Sequence, residues 1–363
     1  MAKLNLPMRG SPYIKSGLMQ QYLQLLYAKA GIGFLFLLCL GAAFLFSLTA
    51  GSLHIPFDKI ITTLFWQNDL SYVIYNIRLP RSVAAVIAGA SLGVSGCVIQ
   101  NILKNPLASP FTLGISHGAA FGASVAIIGL GAGITHSCGN ESVSVFNVYM
   151  VVFAAFAGAI AAVSIILLLA LVKKVSPEAI VLAGVAMSSL FGASTMALQY
   201  FATDFQVSAT IFWTFGDIGK AGWVENLIMG ICFLACLVYF YVQRWNYNAL
   251  LWGDDVAKGL GVNSASLRLM GMLLCALIVS LCTAFLGIIG FVGLIAPHIV
   301  RMIIGNDYRF LIPYSALFGA VFLLVSDSIA KMILSPVILP VGIITSFLGA
   351  PMFFYLLVKR STL

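Results

Sequence analysis

Four segments are unusual for membrane helices in how they combine prolines, glycines and polar or charged side chains. Arg78-Leu79-Pro80-Arg81 sets two cations around a proline, which suits a helix start at a boundary between apolar and aqueous surroundings. Gln100-Asn101-Ile102-Leu103-Lys104-Asn105-Pro106-Leu107-Ala108-Ser109-Pro110 is broken twice by proline. Asn-Pro leaves the helix and exposes backbone groups that need water or protein as partners. Gly253-Asp254-Asp255-Val256-Ala257-Lys258-Gly259-Leu260-Gly261-Val262 opens with two carboxylates, favourable at a helix N-terminus, and puts Val256 and Leu260 on one face at i, i+4. Such a sequence is a short helix with an adhesive side. The fourth run extends from Ile289 to Arg301 and contains Pro297 and His298; Leu339-Pro340-Val341-Gly342 and Gly349-Ala350-Pro351 follow it near the C-terminus.

These residues exclude several kinds of chemistry. No GxxxxGK[ST] occurs, so the chain has no phosphate cradle and no means of its own for using ATP. Neither HExxH nor paired acid-rich helices occur, which argues against an intramembrane enzyme and assigns no catalytic residue. His298 stands apart from His54, His117 and His136 and is read as a packed or capping residue; no metal site is expected. Cysteines 39, 97, 138, 232, 236, 275 and 282 lie mostly in apolar segments without a CxxC pair and read as small buried hydrophobes. Asp327 precedes Lys331 by one helical turn and is expected to pair with it. The other acids are almost confined to connections, which disfavours a proton- or sodium-coupled carrier.

The elements that must position these runs are membrane helices. With 61% hydrophobic and 8% charged residues, the chain could not cover a soluble surface. Apolar stretches recur that reach the roughly 20 residues needed to cross about 30 Å of hydrocarbon. The expected fold is all-α and polytopic, with ten spans near 31–50, 82–101, 113–133, 147–172, 178–202, 224–244, 267–286, 291–304, 311–331 and 340–358. The eighth is the shortest. Lys and Arg at the N-terminus, 104, 173–174, 244, 258, 268, 301, 309 and 359–360 outnumber those at 59, 78, 81, 220 and 331, which places both termini in the cytoplasm. Residues 1–30 form a cytoplasmic segment, 31–358 the transmembrane domain, 245–266 its long cytoplasmic loop, and 359–363 a cytoplasmic tail. The net charge of +8 is dispersed at span ends, so the bilayer rather than nucleic acid is the expected partner. Gly89, Gly93 and Gly96, and Gly114, Gly118 and Gly122, have the small-xxx-small spacing of helix packing faces. Pro56 to Trp66 and Gln206 to Gly216 are amphipathic and expected along the external interface, anchored by Trp66 and Trp213.

RLPR at Arg78–Arg81, NPLA at Asn105–Ala108, GDxxAxxLG at Gly253–Gly261, GFVGLxxPHxxR at Gly290–Arg301, and LPVG followed by GAP occur in the order found in the FecCD family. The chain resembles that family of permeases, which belong to type II ABC importers of iron-siderophores, haem and cobalamin, from Arg78 to about Lys359. The resemblance implies one half of a permease dimer, more often a homodimer, in a bacterial or archaeal inner membrane. Its partners would be ABC ATPase subunits, which carry the ATP and Mg, and an extracytoplasmic substrate-binding protein; this chain would bind no cofactor. Gly253, Asp254, Asp255, Val256, Ala257, Lys258, Leu260 and Gly261 match the family's ATPase-coupling segment. Val256 and Leu260 would enter a groove while Asp254, Asp255 and Lys258 form its polar rim. Arg78, Arg81 and Lys331 match cations that receive acidic residues of the binding protein; lysine stands at 331 where arginine is common. Asn105, Pro106 and Leu107 resemble one cytoplasmic gate. Ser176, Pro177 and Glu178 fall at its companion, where small hydroxyl residues are usual and Pro177 and Glu178 depart. Ferric siderophore is the first expectation for cargo, with haem or cobalamin as alternatives.

Overall fold

The computed structural model describes residues 12–51, 55–66, 69–132, 147–173 and 177–360. Its framework is ten apolar helices: α1 (Pro12–Thr49), α2 (Leu79–Ile102), α3 (Ile115–Ser124), α4 (Val148–Lys173), α5 (Pro177–Tyr200), α6 (Trp223–Val242), α7 (Ser264–Leu286), α8 (Val292–Ile304), α9 (Tyr308–Met332) and α10 (Val341–Arg360). Each overlaps one span expected from hydropathy. Among the described residues seven helices are long and apolar enough to cross a membrane; α3 with the π-helical turn Val125–Gly129, α8 and α10 provide shorter apolar helices.

Two helices differ from their expected ends. α1 runs for 38 residues, so the segment before residue 31 continues the first span from Pro12. At about 1.5 Å per residue it is nearly twice as long as a hydrocarbon core. The helical path into α2 starts at Ser71 and passes Arg78 in a π-helical turn, Ile74–Arg78. Pro80 then lies in the first turn of α2, where its missing N–H is no loss.

α8 has 13 residues and spans only about 20 Å. The irregular backbone that leads to it is satisfied by protein. Phe215 and Ile288 form a parallel bridge, Ile288 N donates to Thr214 O at 3.3 Å, Asp217 N to Leu286 O at 2.8 Å, and Gly342 N to Gly216 O at 3.1 Å. Non-helical backbone is tolerated at membrane depth on that condition. Gly287, at φ +80°, makes the turn that ends α7. Gln206 to Gly216 enters this weave too, so Trp213 is buried rather than an interfacial anchor, whereas Trp66 is exposed. The helix Asp204–Thr214 needs partners for the backbone that follows it, and these lie inward.

α2 is the centre of the bundle, packed on α6, α7, α8 and α9. Its glycines permit backbone contact: a methyl group built on Gly89 would stand 2.4 Å from Gly319 O, on Gly93 2.2 Å from Ser315 O, and on Gly96 1.6 Å from Gly293 O. Gly118 and Gly122 serve likewise against Gly158 and Ala154 of α4. Gly114 leaves that stripe; at φ +72° it is the left-handed residue before α3. Gly96→Ala is expected to force α8 away from α2 and to lower stability by about 1–3 kcal/mol. Gly41→Ala, at a position with open space around it, should leave the melting temperature of the detergent-purified chain unchanged.

Candidate functional site

Polar side chains gather at the two ends of the bundle. At the end expected to face outward, Arg81 in the first turn of α2 forks onto Asp327 of α9. Arg81 Nε and Nη2 donate to Asp327 Oδ1 at 3.0 and 2.8 Å, and Nε also reaches Oδ2 at 3.3 Å. Lys331 Nζ meets the other oxygen, Oδ2, at 2.7 Å and donates to Ser47 Oγ of α1 at 3.2 Å. Ser47 bonds Ser82 of α2 at 2.9 Å. Asp217, in the loop before α6, lies 3.3 Å from Arg81. Arg78 donates to the carbonyls of Leu48 and Thr49, at the end of α1. These carbonyls have no intrahelical donor, and a cation suits a helix C-terminus.

The three cations expected to receive acidic residues of a binding protein are buried within the chain: Arg78, Arg81 and Lys331 are 7%, 8% and 4% exposed, and Asp327 is 0%. A carboxylate out of water is tolerable when its oxygens are filled by cations, and here two of them close around it. The i, i+4 spacing revealed Asp327–Lys331. Arg81, 246 residues away in sequence, and Asp217 had no such signal.

At the opposite end, Asn105 Oδ1 accepts from Leu107 N at 2.9 Å and Asn105 O from Ala108 N at 3.1 Å, so the Asn-Pro turn is closed by its own side chain. Pro106 and Leu107 are half-buried. Of the companion turn, Ser176 lies outside the described residues; Pro177 is the first residue of α5 and Glu178 is in its first turn, both favourable positions. α5 packs against the 3-10 turn Pro110–Leu113, just after the Asn105 turn.

The expected adhesive helix is Asp254–Gly259. Gly253 at φ +108° and Gly261 at φ +81° allow the chain to enter and leave it sharply. Ala257 is fully buried and seats it, while Val256 is 48% and Leu260 68% exposed on the other side. Asp255 and Lys258 are exposed beside them. Asp254 is committed elsewhere: its Oδ1 lies 3.2 Å from Lys104 Nζ, in the Asn105 turn, and 2.7 Å from Arg268 Nη2, in α7. One carboxylate thus links the adhesive helix, the proline-broken turn and α7. In the sequence both Lys104 and Arg268 read only as charges that orient the helices.

The helix Arg244–Leu251 before it is held to the start of α9. Asn248 Nδ2 donates to Asp307 Oδ1 at 3.0 Å, and Tyr308 N to Asn248 Oδ1 at 2.9 Å. Burial opposes the charge on Asp307, but the hydrogen bonds from Arg309 and Asn248 outweigh it and hold the carboxyl below its ordinary range. Among the described residues, no three His, Cys, Asp or Glu side chains are grouped for a metal.

Asp327→Asn should leave Arg81 and Lys331 short of charge compensation and lower stability by about 3–5 kcal/mol. Pairing it with Lys331→Met should recover part of the loss, as read by thermal unfolding in detergent.

The chain is similar to an ABC transporter permease protein of Methanocaldococcus jannaschii, with 54% identity over 92% of this chain and 96% of that one. It is 36% identical to the hemin transport system permease protein of Yersinia pestis, over 91% and 95% of the two chains. Against the Fe(3+)-citrate import system permease protein of Bacillus subtilis the identity is 34%, over 86% and 90%. Among solved structures, an inward-facing metal-chelate type ABC transporter superposes with a TM-score of 0.77 at 30% identity, covering 91% of this chain and 99% of the other. The family description matches residues 37–359, nearly the whole of the ten-helix bundle built above, and the chain therefore belongs to the FecCD transport family.

Proposed function

We propose that the chain is one permease half of an ATP-driven importer that passes a ferric siderophore or a similar metal chelate from an extracytoplasmic binding protein to the cytoplasm. Relatives named for hemin, Fe(3+)-citrate and iron(3+)-hydroxamate support a chelate cargo, and haem or a corrinoid is the alternative. The observation that carries the reading is the helix Asp254–Gly259, seated by Ala257, presenting Val256 and Leu260 to the outside, and tied through Asp254 to Lys104 and Arg268. An apolar pair on a short helix fits a groove in an ATPase. Motion of that ATPase would reach the Asn105 turn and α7 through the shared carboxylate. ATP and Mg would be held by the partner, since this chain has no phosphate cradle.

The Lys and Arg asymmetry supports a cytoplasmic location for both termini. The binding protein would dock on the face framed by Arg78, Arg81 and Lys331. Because these charges are buried, their contribution there is to hold the ends of α1, α2 and α9 in register. A second permease half, most simply a second copy, would cover the open groove of about 580 Å³ lined by Phe215, Gly216, Ile288, Ile343 and Phe347. Phe347 and Phe212 are exposed on that side.

Vesicles holding this chain with its ATPase and binding protein should take up ferric siderophore only with hydrolysable nucleotide; uptake driven by an ion gradient alone would overturn the proposal. Leu260→Asp should reduce uptake per ATP hydrolysed by about tenfold or more, the scale of losing a buried apolar anchor. Lys104→Gln removes a half-exposed ion pair worth about 0–1 kcal/mol. It should leave the melting temperature nearly unchanged while lowering the uptake obtained per ATP.

A further inference from the structure

Eight of the ten residues of α3 are buried, and the other two, His117 and Phe121, stand one helical turn apart on a single stripe. His117 is exposed and Phe121 half-buried. Among the described residues the imidazole has no hydrogen-bond or ion-pair partner. Phe121 meets Phe191 of α5, with ring centroids 5.4 Å apart. His117 Cδ2 lies 3.9 Å from the point where a methyl group on Gly192 would stand, so α5 sets beside the imidazole a residue with no side chain.

The stripe lies deep in the bundle. Gly192 is fifteen residues into α5, about 22 Å along its axis, well inside a hydrocarbon core of about 30 Å. An imidazole turned to acyl chains would forgo its hydrogen bonds and gain nothing; ionisable side chains at such depth face a cavity or the route of what is transported. The backbone agrees with that reading. α3 is entered from the 3-10 turn Pro110–Leu113 through the left-handed Gly114, which stands against Gly184 and Met187 of α5. A helix that starts within the membrane in this way is the construction transporters use at their binding sites. Ser189, one turn before Gly192, is exposed as well. The helix Asp204–Thr214 packs on α3 and leads straight into Phe215 and Gly216 of the open groove.

We propose that this stripe is a transient cargo site, at which the His117 imidazole ligates the metal of a flat chelate with an open axial position, of the metalloporphyrin kind, while Phe121 and Phe191 lie against its ring. Imidazole is a ready ligand for such iron. One coordinate bond forms, from the lone pair of a ring nitrogen to the metal; the water or chloride held at that position leaves with its own electrons, and nothing is oxidised or reduced. A hexadentate siderophore fills every position of its iron and offers none to the imidazole. A single ligand also lets the cargo go again, as passage requires. The inference rests on the permease reading and deepens it, by adding tetrapyrroles to the chelates the chain accepts.

The full chain, purified in detergent without partners, is titrated with hemin while the Soret band is followed. The native chain should give the shifted band of imidazole-ligated iron. His117→Gln keeps a polar side chain but removes the ligating nitrogen, and should lose that shift. Its melting temperature should not change, since the imidazole has no partner among the described residues. His117→Met brings a thioether, which also ligates haem iron, and should restore an axially ligated band at another wavelength; this separates loss of a ligand from loss of folding. A ferric hydroxamate siderophore should bind the native chain and His117→Gln alike. No shift in the native chain, a shift that persists in His117→Gln as partition into micelles would give, or siderophore binding that falls with His117→Gln would each overturn the proposal. Failure of nucleotide-driven uptake would count against the permease reading and leave the hemin titration standing.

Discussion

The structure depends on one constraint: polar groups taken into hydrocarbon must find their partners within the chain. Asp327 shows it for charge. Fully buried in α9, it is held by Arg81 from α2 and Lys331 from its own helix, and Lys331 continues to Ser47 of α1. Each isolated ion would be untenable there; together they fasten the ends of three helices. The backbone obeys the same rule where α7 stops and α8 begins. The peptide groups of Thr214, Gly216, Leu286, Ile288 and Gly342 pair across three segments distant in sequence, and so allow a short helix inside the bundle.

Packing follows a related logic. Lipid provides no hydrophobic drive for one apolar helix to join another, so association rests on close approach. α2 achieves it with Gly89, Gly93 and Gly96, which bring its backbone onto carbonyls of α8 and α9. A rigid centre of this kind transmits displacement as a unit, because its contacts leave no slack for side chains to absorb.

The end bearing Asp254 is built differently. There, water and partner proteins are the expected surroundings, and the apolar side chains of Val256 and Leu260 remain exposed. The helix that carries them is short and held by few contacts, which on its own would make it a weak lever. Asp254 compensates by joining it to Lys104 and Arg268. Such partly exposed ion pairs add little to stability; in the importer proposed above their value would lie in fixing the direction in which a push is passed on.

Much of this was legible along the chain. The ten apolar segments each overlap a helix, and among the described residues seven of these are long enough to cross a bilayer, which demands uninterrupted apolar length, a local property. The glycine stripe in α2, the helix opened by Asp254 and Asp255, and the Asp327–Lys331 pair are local too, since residues three or four apart meet within one helix. The resemblance of the five motifs to one family is likewise carried by the order of residues alone. Tertiary structure alone decided where the cations point. Arg78, Arg81 and Lys331 look like rim charges until the fold folds them onto Asp327, Ser47 and the end of α1, and Trp213 looks like an anchor until the loop around it is drawn inward. The same holds for Lys104 with Asp254. These partners are far apart in sequence, so no periodicity marks them, and only the packing of one helix on another brings their charges within reach.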